Sequence, residues 1–370
     1  MHSTRNDSAM PRRWRARALA SLGASVLAAG LIPVAAQAAT APVPGGPGDA
    51  LDHPYRHGVV QTLGASVPNL GLNNLQYGGG TGGVGVTTGA PKVYLVFWGS
   101  QWGTAGTDAK GNTTLSGDPQ ATAPILQGFF KGLGTGSETW SGVMTQYCQG
   151  VTQGSTTCPA GSAHVGYPTG GALAGVWADT SAAAPAQATG NQIGAEAVRA
   201  AGHFGNTTAA SNRNVQYVVL SPTGTKPDGF NTPTSQFCAW HDYTGDATLS
   251  GGAVSSPYGP LAFTNEPYVT DMGSSCGANF VNSGPGGVTD GVTIVEGHEY
   301  AETITDQFPA GGWTDLTGYE NGDKCAWISS GQGASANITL STGTFPVQST
   351  WSNDFNSGQG GCEIGHATVS

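Results

Sequence analysis

The chain has 370 residues, only 10% of them charged, and 23 acidic residues stand against 13 basic ones. This balance argues against nucleic-acid binding, which needs a basic surface to meet phosphates. Beyond the N-terminal region, no apolar run approaches the roughly 20 residues that a membrane span needs.

The first 38 residues have the pattern of a secretory signal peptide. Four arginines between residues 12 and 17 form a basic segment, residues 18–36 are apolar, and "AQA" at 36–38 fits a cleavage site. A membrane anchor is the alternative, but the small residues at the end favour cleavage. Cleavage would remove five arginines and one aspartate and leave 8 basic and 22 acidic residues, a net charge of −14, in a soluble exported protein.

Residues 39–90 are rich in Gly, Pro and Thr, which is typical of an extended or loosely ordered arm. A propeptide is the other interpretation of this segment, although no processing site marks its end. Residues 91–370 are then predicted to form a single domain of catalytic type, with a length that can bury a sizeable core.

The first firm element of this domain is a buried strand at Lys92–Gly99, which is rich in β-branched and aromatic residues. Residues 119–134 have apolar side chains at helical spacing, which predicts a helix that ends at Gly134. A second short helix is predicted at 137–147, with Ser137 as its N-cap. The apolar side of the first helix consists of Ile125, Leu126, Phe129, Phe130 and Leu133.

Strands and helices continue to alternate further along the chain. Residues 189–205 predict a helix closed by a glycine, and residues 214–222 predict a second buried strand. This order indicates an α/β layer. The segments 259–265 and 337–352 have short strand signals between loops rich in Gly, Pro and Ser. The predicted fold class is therefore α/β (α+β), with a mixed sheet packed on helices and many loops.

Six cysteines remain after the signal peptide, and an even number in an exported chain predicts three disulfides. Six cysteines allow fifteen connectivities. Cys148–Cys158 is the safest local pairing, and Cys238–Cys276 and Cys325–Cys362 follow if the pairing is sequential. A zinc site built from cysteines is the alternative, but the chain has no C-x-x-C spacing.

The segment "VEGHEYAETITD", Val295–Asp306, places one histidine and four carboxylates in a chain that is poor in charge. Residues 289–306 predict a helix, in which His298 and Glu302 lie on one face and ~6 Å apart along the axis. Two ligands placed in this way can hold one zinc ion. Glu299 is rotated by ~100° from His298, and we predict that it accepts the proton of the attacking water.

A third metal ligand is predicted to come from elsewhere in the chain. Glu320 can return over the helix after a turn, and His241 lies near the predicted disulfide cysteine Cys238. Asp306 lies ~12 Å from His298 along the axis and can join only if the helix breaks before it. A zinc ion bound by His-Glu-Glu or His-His-Glu has its fourth coordination position open for water, as a catalytic zinc site requires.

Charge supports a cation at this helix. Four carboxylates on one helix repel each other unless a positive group lies among them. Lys226 and Lys324 are the only basic residues after Arg213. The structural alternative is a buried His298 that is hydrogen-bonded to Glu302.

Other roles remain open for nearby residues. Asp315, Glu320 and Asp323 offer oxygen ligands that also suit a structural calcium ion, although their spacing does not match an EF-hand loop. Tyr319 is a candidate hydrogen-bond donor to a developing oxyanion. A glycosidase with two catalytic carboxylates is compatible with Glu299 but does not explain the histidine.

The core "HEYAE" at residues 298–302 resembles the active-site helix of the zincin metallopeptidases, with Glu302 in place of the usual second histidine. The resemblance implies a zincin-like fold with an active-site helix, a zinc ion and a peptide substrate. More broadly, "VYLVFWGS", "FCAWHDY", "GHEYAETITD" and "GWTDLTGYENGDKC" together resemble bacterial exported proteins that are distantly similar to the plant phosphate-induced (exordium-type) proteins. That resemblance spans most of residues 92–325 and implies an exported, disulfide-bonded, single-domain protein.

Together these patterns predict a secreted zinc-dependent hydrolase, in the first place a metallopeptidase that acts on a protein or peptide. The alternative is a non-catalytic extracellular or cell-wall-associated binding protein with a structural calcium site. No nucleic-acid partner, and no membrane contact after signal cleavage, is expected.

Overall fold

A computed structural model describes residues 57–65 and 74–370, which belong to one compact unit. The predicted signal peptide, residues 1–38, lies outside the described residues, as do residues 39–56 and 66–73 of the predicted arm. In the part of the chain that is described, no helix is both long and apolar enough to cross a membrane.

Short strands make up much of the regular structure of the described residues. The strands are β1 (His57–Gln61), β2 (Gln76–Tyr77), β3 (Lys92–Trp98), β4 (Ala105–Thr107), β5 (Thr113–Leu115), β6 (Cys148–Gln149), β7 (Ala163–His164), β8 (Leu173–Asp179), β9 (Val215–Leu220), β10 (Phe237–Tyr243), β11 (Ala262–Glu266), β12 (Trp313–Thr314), β13 (Ala336–Leu340), β14 (Gly343–Val347), β15 (Thr350–Ser352) and β16 (Gly361–Glu363). The α-helical segments are α1 (Thr122–Gly132), α2 (Gly190–His203), α3 (Ala209–Asn212), α4 (Asp290–Thr305) and α5 (Phe355–Gly358).

Six of these strands form one mixed sheet in the order β1, β10, β11, β9, β3, β8. The four strands from β11 to β8 are parallel, and β10 and β1 extend the sheet as antiparallel neighbours. All six residues of β9 are buried, because layers of structure cover both faces of the sheet. The predicted mixed α/β fold is therefore confirmed.

Helices α2 and α4 lie on opposite faces of this sheet. A Cβ atom at Gly194 in α2 would lie 3.2 Å from the ring of Phe263 in β11. Side chains alternate along a strand, so Thr264 and its cross-strand partner His241 point to the other face. Helix α4 packs on the β1, β10 and β11 end of the sheet. His241 therefore points toward the layer that contains α4.

Helix α4 is buried along its whole length, because it lies between the sheet and the β13–β14 hairpin. Burial on all sides explains why it shows no clear division into an apolar and a polar face. Its charged residues are therefore enclosed in the protein. The residues predicted to supply packing surface, Val292, Val295, Tyr300, Ala301 and Ile304, are all buried.

Most of the predicted elements are confirmed, among them β3, β9, α1 and α2. The short helix predicted at 137–147 is wrong, because only a 3-10 helix at Val143–Gln146 forms there. The physical reason is Glu138, whose carboxylate accepts the backbone N–H groups of Gly134 and Ser141 and folds this segment into a loop. Ser137 has a φ of 59° and does not cap a helix.

Where the predicted extended or loosely ordered arm is described, it contains two short strands. β1 pairs with β10 at the edge of the main sheet, and β2 pairs with β12. The side chains of Leu75, Tyr77 and Val86 are buried in the core. The sequence does not predict these contacts, because two short strands with few apolar residues give almost no periodic signal.

All three predicted disulfides are present: Cys148–Cys158, Cys238–Cys276 and Cys325–Cys362. The pairing is sequential, so no cysteine remains for a zinc site. Three disulfides are compatible with an exported protein. The two longer pairs span 38 and 37 residues, and in the chain-entropy picture each stabilises the fold by roughly 4 kcal/mol.

A buried carboxyl group on α2 predicts a pH-dependent stability. Burial and the neighbouring Asp179 raise the pKa of Glu196 to about 8, although Arg199 binds both carboxylates. In the unfolded chain this pKa is near ~4.3. The folded state therefore binds the extra proton, and stability falls as pH rises from about 4.3 to about 8.

Glu196→Gln is expected to flatten that part of the pH profile, because an amide has no proton to lose. Urea unfolding of both proteins at several pH values between 4 and 9 measures this difference. Parallel profiles for the two proteins would show that Glu196 titrates normally.

Candidate metal centre

Helix α4 supplies three side chains to a buried polar cluster: His298, Glu299 and Glu302, none of which is exposed. His298 and Glu302 lie one turn apart, and Nε2 of His298 is 2.9 Å from Oε1 of Glu302. The predicted pairing of these two residues on one face is therefore present in the structure.

Strand β10 brings His241 to the same cluster from the sheet. Its Nε2 atom lies 3.7 Å from Oε2 of Glu302 and 3.2 Å from Oε2 of Glu320. The Cys238–Cys276 disulfide fixes the beginning of β10 three residues before His241. His241 is fully buried.

A loop at residues 315–325 supplies Glu320 and Asp323. Asp315 shapes its first part, because its carboxylate accepts the N–H of Thr317 and binds Nζ of Lys324 at 2.8 Å. The Cys325–Cys362 disulfide fixes its end. The loop thus lies over α4, as predicted from its position in the sequence.

Two groups of metal-ligand atoms result, and each has all its donor atoms within 4.8 Å of one another. The first consists of His241, Glu302 and Glu320, and the second of His298, Glu302 and Asp323. Glu302 belongs to both groups. The structure therefore brings together both residues that the sequence proposes as alternatives for the third ligand, Glu320 and His241.

Gln348 orients the imidazole ring of His298. Its amide nitrogen donates to the carbonyl oxygens of Gly322 and Ser349, which directs its Oε1 atom toward Nδ1 of His298 at 3.1 Å. Nδ1–H therefore donates to Gln348, and Nε2 is the atom that faces Glu302. A hydrogen bond of this kind is the usual support of a metal-binding histidine.

Several buried carboxylate oxygens of the cluster have no hydrogen-bond partner. They include Oε2 of Glu302 and both carboxylate oxygens of Glu299. In the described part of the chain, Glu302 pairs with His241 and His298, and Glu320 pairs with His241. Leaving buried carboxylate oxygens without a partner costs free energy, which a divalent ion would recover.

The pKa shifts of the cluster also favour a bound cation. Burial, and then the charge of Glu302, raise the pKa of Glu299 well above its usual range. Burial and Asp306 do the same for Glu320. Burial alone would lower the pKa of His298, but Glu302 and the other polar groups around it together raise it. Without a metal, protons must supply the positive charge.

Two further buried glutamates lie next to this cluster but belong to neither metal-ligand group. Glu296 lies one turn before Glu299 on α4, and burial raises its pKa well above the usual range. Burial and the charge of Glu296 likewise raise the pKa of Glu266 on β11. Both lie outside the two ligand groups.

Asp306 lies in neither metal-ligand group. Helix α4 ends at Thr305, as the predicted break requires, but the carboxylate of Asp306 turns to the following loop. It accepts the backbone N–H groups of Ala310, Gly311 and Gly312. Asp306 therefore closes the C-terminal end of the helix, and its charge raises the pKa of Glu320.

Tyr319 lies in the same loop, directly before Glu320. Its backbone N–H donates to the carboxylate of Asp315, and its carbonyl oxygen accepts the N–H of Asp315. This turn fixes the backbone of Tyr319 directly before Glu320. Its role as a hydrogen-bond donor to an oxyanion stays a prediction.

Some residues of the centre are absent from the sequence prediction or have another role there. Asp323 was considered for calcium alone, yet its Oδ1 atom lies 3.7 Å from Nε2 of His298. Gln348 and Glu266 were missed. Neither belongs to a motif. Glu266 ends β11, and Gln348 lies between β14 and β15, so each reaches the cluster through tertiary packing that the sequence does not reveal.

Gly322 lies against two of the three ligands of the second group, Glu302 and His298, which leads to a testable prediction. A Cβ atom there would lie 2.9 Å from Oε1 of Glu302 and 2.9 Å from Cγ of His298. Gly322→Ala is therefore expected to displace both side chains and to weaken zinc binding, by on the order of 10–100-fold. Competition with a chromophoric chelator measures this affinity.

Gly297→Ala on α4 is the matched control for this prediction. A Cβ atom there meets Phe129 and Trp140 at ordinary distances of 3.6 and 3.7 Å. This variant is expected to keep its zinc affinity and to gain up to ~1 kcal/mol from the better helix propensity of alanine. Equal zinc affinities in the two variants would contradict the placement of Gly322 against the ligands.

Comparisons with protein families, with curated proteins and with solved structures find no significant match for this chain. The chemistry of the centre therefore has to be argued from its own residues. Two imidazoles, several carboxylates and a buried position are a donor set that suits zinc or a similar divalent transition metal.

Proposed function

We propose that this protein is an exported zinc-dependent hydrolase of zincin-like type that cleaves peptide bonds. The observation that carries the proposal is Glu302, a buried carboxylate whose two oxygens face two different histidines, with Glu299 beside it on the same helix. The resemblance of residues 298–302 to the zincin helix supports the same conclusion. Export is proposed from the predicted signal peptide and is supported by the three disulfides.

The donor set favours zinc over the calcium of the alternative interpretation. Calcium takes six to eight oxygen ligands, whereas His241 and His298 offer nitrogen. Asp315, one of the oxygen donors considered for calcium, is bound to Lys324. A zinc ion supplies a Lewis acid that polarises a carbonyl group, and it lowers the pKa of water.

Glu299 is the residue that moves protons in this proposal. Its raised pKa makes its carboxylate a stronger base than an exposed glutamate. In the reaction, water adds to the carbonyl carbon of the peptide bond, and Glu299 accepts the proton of that water. Glu299 then passes the proton to the leaving nitrogen as the C–N bond breaks, so that the products are a carboxylic acid and an amine.

The direction of substrate entry is proposed from exposure. His241, His298 and Glu302 are fully enclosed, while the side chain of Asp323 is 14% exposed. The solvent side of the centre is therefore the loop at 315–325, which also contains Tyr319. A peptide that enters there would reach Glu302 along this loop.

Metal analysis combined with a turnover assay tests the proposal. Purified mature protein is expected to contain tightly bound zinc and to hydrolyse casein or a fluorogenic peptide library. Removal of the metal by a chelator should abolish turnover, and added zinc should restore it. Tightly bound zinc without any turnover would indicate a structural metal site instead. Absence of bound zinc would contradict the proposal as a whole.

A further inference from the structure

We infer that the centre holds two divalent ions, with the carboxylate of Glu302 as the bridge between them. The inference rests on the proposed function for the location of the site, and it adds the number of ions and the ligands of each. One ion would lie between His241, Glu302 and Glu320. The other would lie between His298, Glu302 and Asp323.

The first argument is the division of ligands between the two oxygens of Glu302. Oε1 faces Nε2 of His298 at 2.9 Å, and Oε2 faces Nε2 of His241 at 3.7 Å. A single ion bound by both histidines would bring both imidazoles to the same side of the carboxylate. The observed arrangement instead gives each oxygen its own histidine.

The second argument is distance. The donor atoms of one tetrahedral zinc ion, each about 2.0–2.2 Å from the metal, lie within roughly 4 Å of one another. In the described residues, no group with all donor atoms within 4.8 Å contains both His241 and His298. Each histidine has its own second carboxylate, Glu320 or Asp323. The five residues therefore form two sites that share one member.

The third argument is that both oxygens of Glu302 have lone pairs available to a metal ion. Oε2 of Glu302 has no hydrogen bond, and Oε1 accepts the backbone N–H of Asp323 at 2.8 Å. A carboxylate oxygen has two lone pairs. Both oxygens of Glu302 can therefore bind an ion at the same time. Pairs of ions in hydrolytic sites are about 3.5–4 Å apart, a spacing that one carboxylate can bridge.

Metal titration of the metal-free, full-length mature protein tests the inference. Wild type is expected to bind two equivalents of zinc. Glu320→Gln and Asp323→Asn are each expected to bind one, because each variant loses a ligand of a different ion. His203→Ala, which changes a histidine stacked on Trp177 outside the centre, should still bind two.

Manganese provides a second readout, and its wild-type spectrum does not depend on any variant folding. Wild type loaded with Mn²⁺ is expected to show the electron paramagnetic resonance spectrum of a coupled pair, and the two single-site variants the spectrum of an isolated ion. Saturation of wild type at one equivalent, or an uncoupled wild-type spectrum, would overturn the inference.

The outcomes separate this inference from the proposed function. Two bound ions without hydrolysis would contradict the function and support the two-ion site. One bound ion with hydrolysis would support the function and contradict the two-ion site.

Discussion

Replacement of Glu299 by glutamine is expected to lower kcat by about 10²–10⁴-fold and to leave the zinc content unchanged. The amide has nearly the same shape as the carboxylate but cannot accept a proton from water, and general-base catalysis contributes a factor of this size. Glu299 belongs to neither metal-ligand group, so its loss should not release the metal. Steady-state peptide hydrolysis and metal analysis of the same preparation measure the two effects.

Glu196→Gln is the matched control for Glu299→Gln. It makes the same chemical change at another buried glutamate, on α2 and outside the centre. It should keep both turnover and zinc. Undiminished turnover in Glu299→Gln would remove Glu299 from the mechanism, and a parallel loss of zinc would make it a metal ligand instead.

The sequence predicts those parts of the centre that depend on local structure. His298, Glu299 and Glu302 lie on one helix, and helical geometry alone fixes their relative positions. The contact between Nε2 of His298 and Oε1 of Glu302 follows directly from this geometry. Local disulfide spacing likewise predicts Cys148–Cys158.

The arrangement of the remaining ligands depends on contacts between distant parts of the chain. His241 reaches the centre because β10 pairs with β11 in a register that turns it toward α4. Glu320 reaches it because a loop folds over α4 from the other side. From the sequence, Glu320 and His241 are alternatives for the third metal ligand. No local pattern shows that each oxygen of Glu302 faces a different metal-ligand group.

Errors in the sequence prediction have a similar origin. Ser137 has the sequence signature of an N-cap, but the carboxylate of Glu138 binds backbone N–H groups of a loop, and this tertiary arrangement prevails over local propensity. The composition of the arm is typical of an extended or loosely ordered segment, yet β1 pairs with β10 in the main sheet. Sheet pairing between residues so far apart leaves no periodic signal in either segment.

Replacement of Glu302 by glutamine is expected to have the largest effect on metal binding. Glu302 is the one residue that both metal-ligand groups share. Loss of a supporting residue around a metal costs roughly 10–100-fold in affinity, and loss of a shared ligand should cost more. Zinc at 100 times its Kd stabilises the wild-type fold by about 2.7 kcal/mol, and this stabilisation should be absent in the variant. Urea unfolding with and without zinc measures it.

Glu296→Gln, on the same helix, separates the loss of a ligand from the loss of a buried carboxyl group. Glu296 lies outside both groups, and burial raises the pKa of its carboxyl group, so an uncharged amide is a close substitute. This variant should bind zinc as wild type does. A similar loss of zinc in both variants would mean that the helix tolerates no change at its buried acids, and the specific role of Glu302 would then be wrong. Loss of zinc in Glu302→Gln alone would assign the metal to the carboxylate of Glu302. This carboxylate lies between His241 of the sheet and His298 of the helix, and it accepts the backbone N–H of Asp323 in the loop.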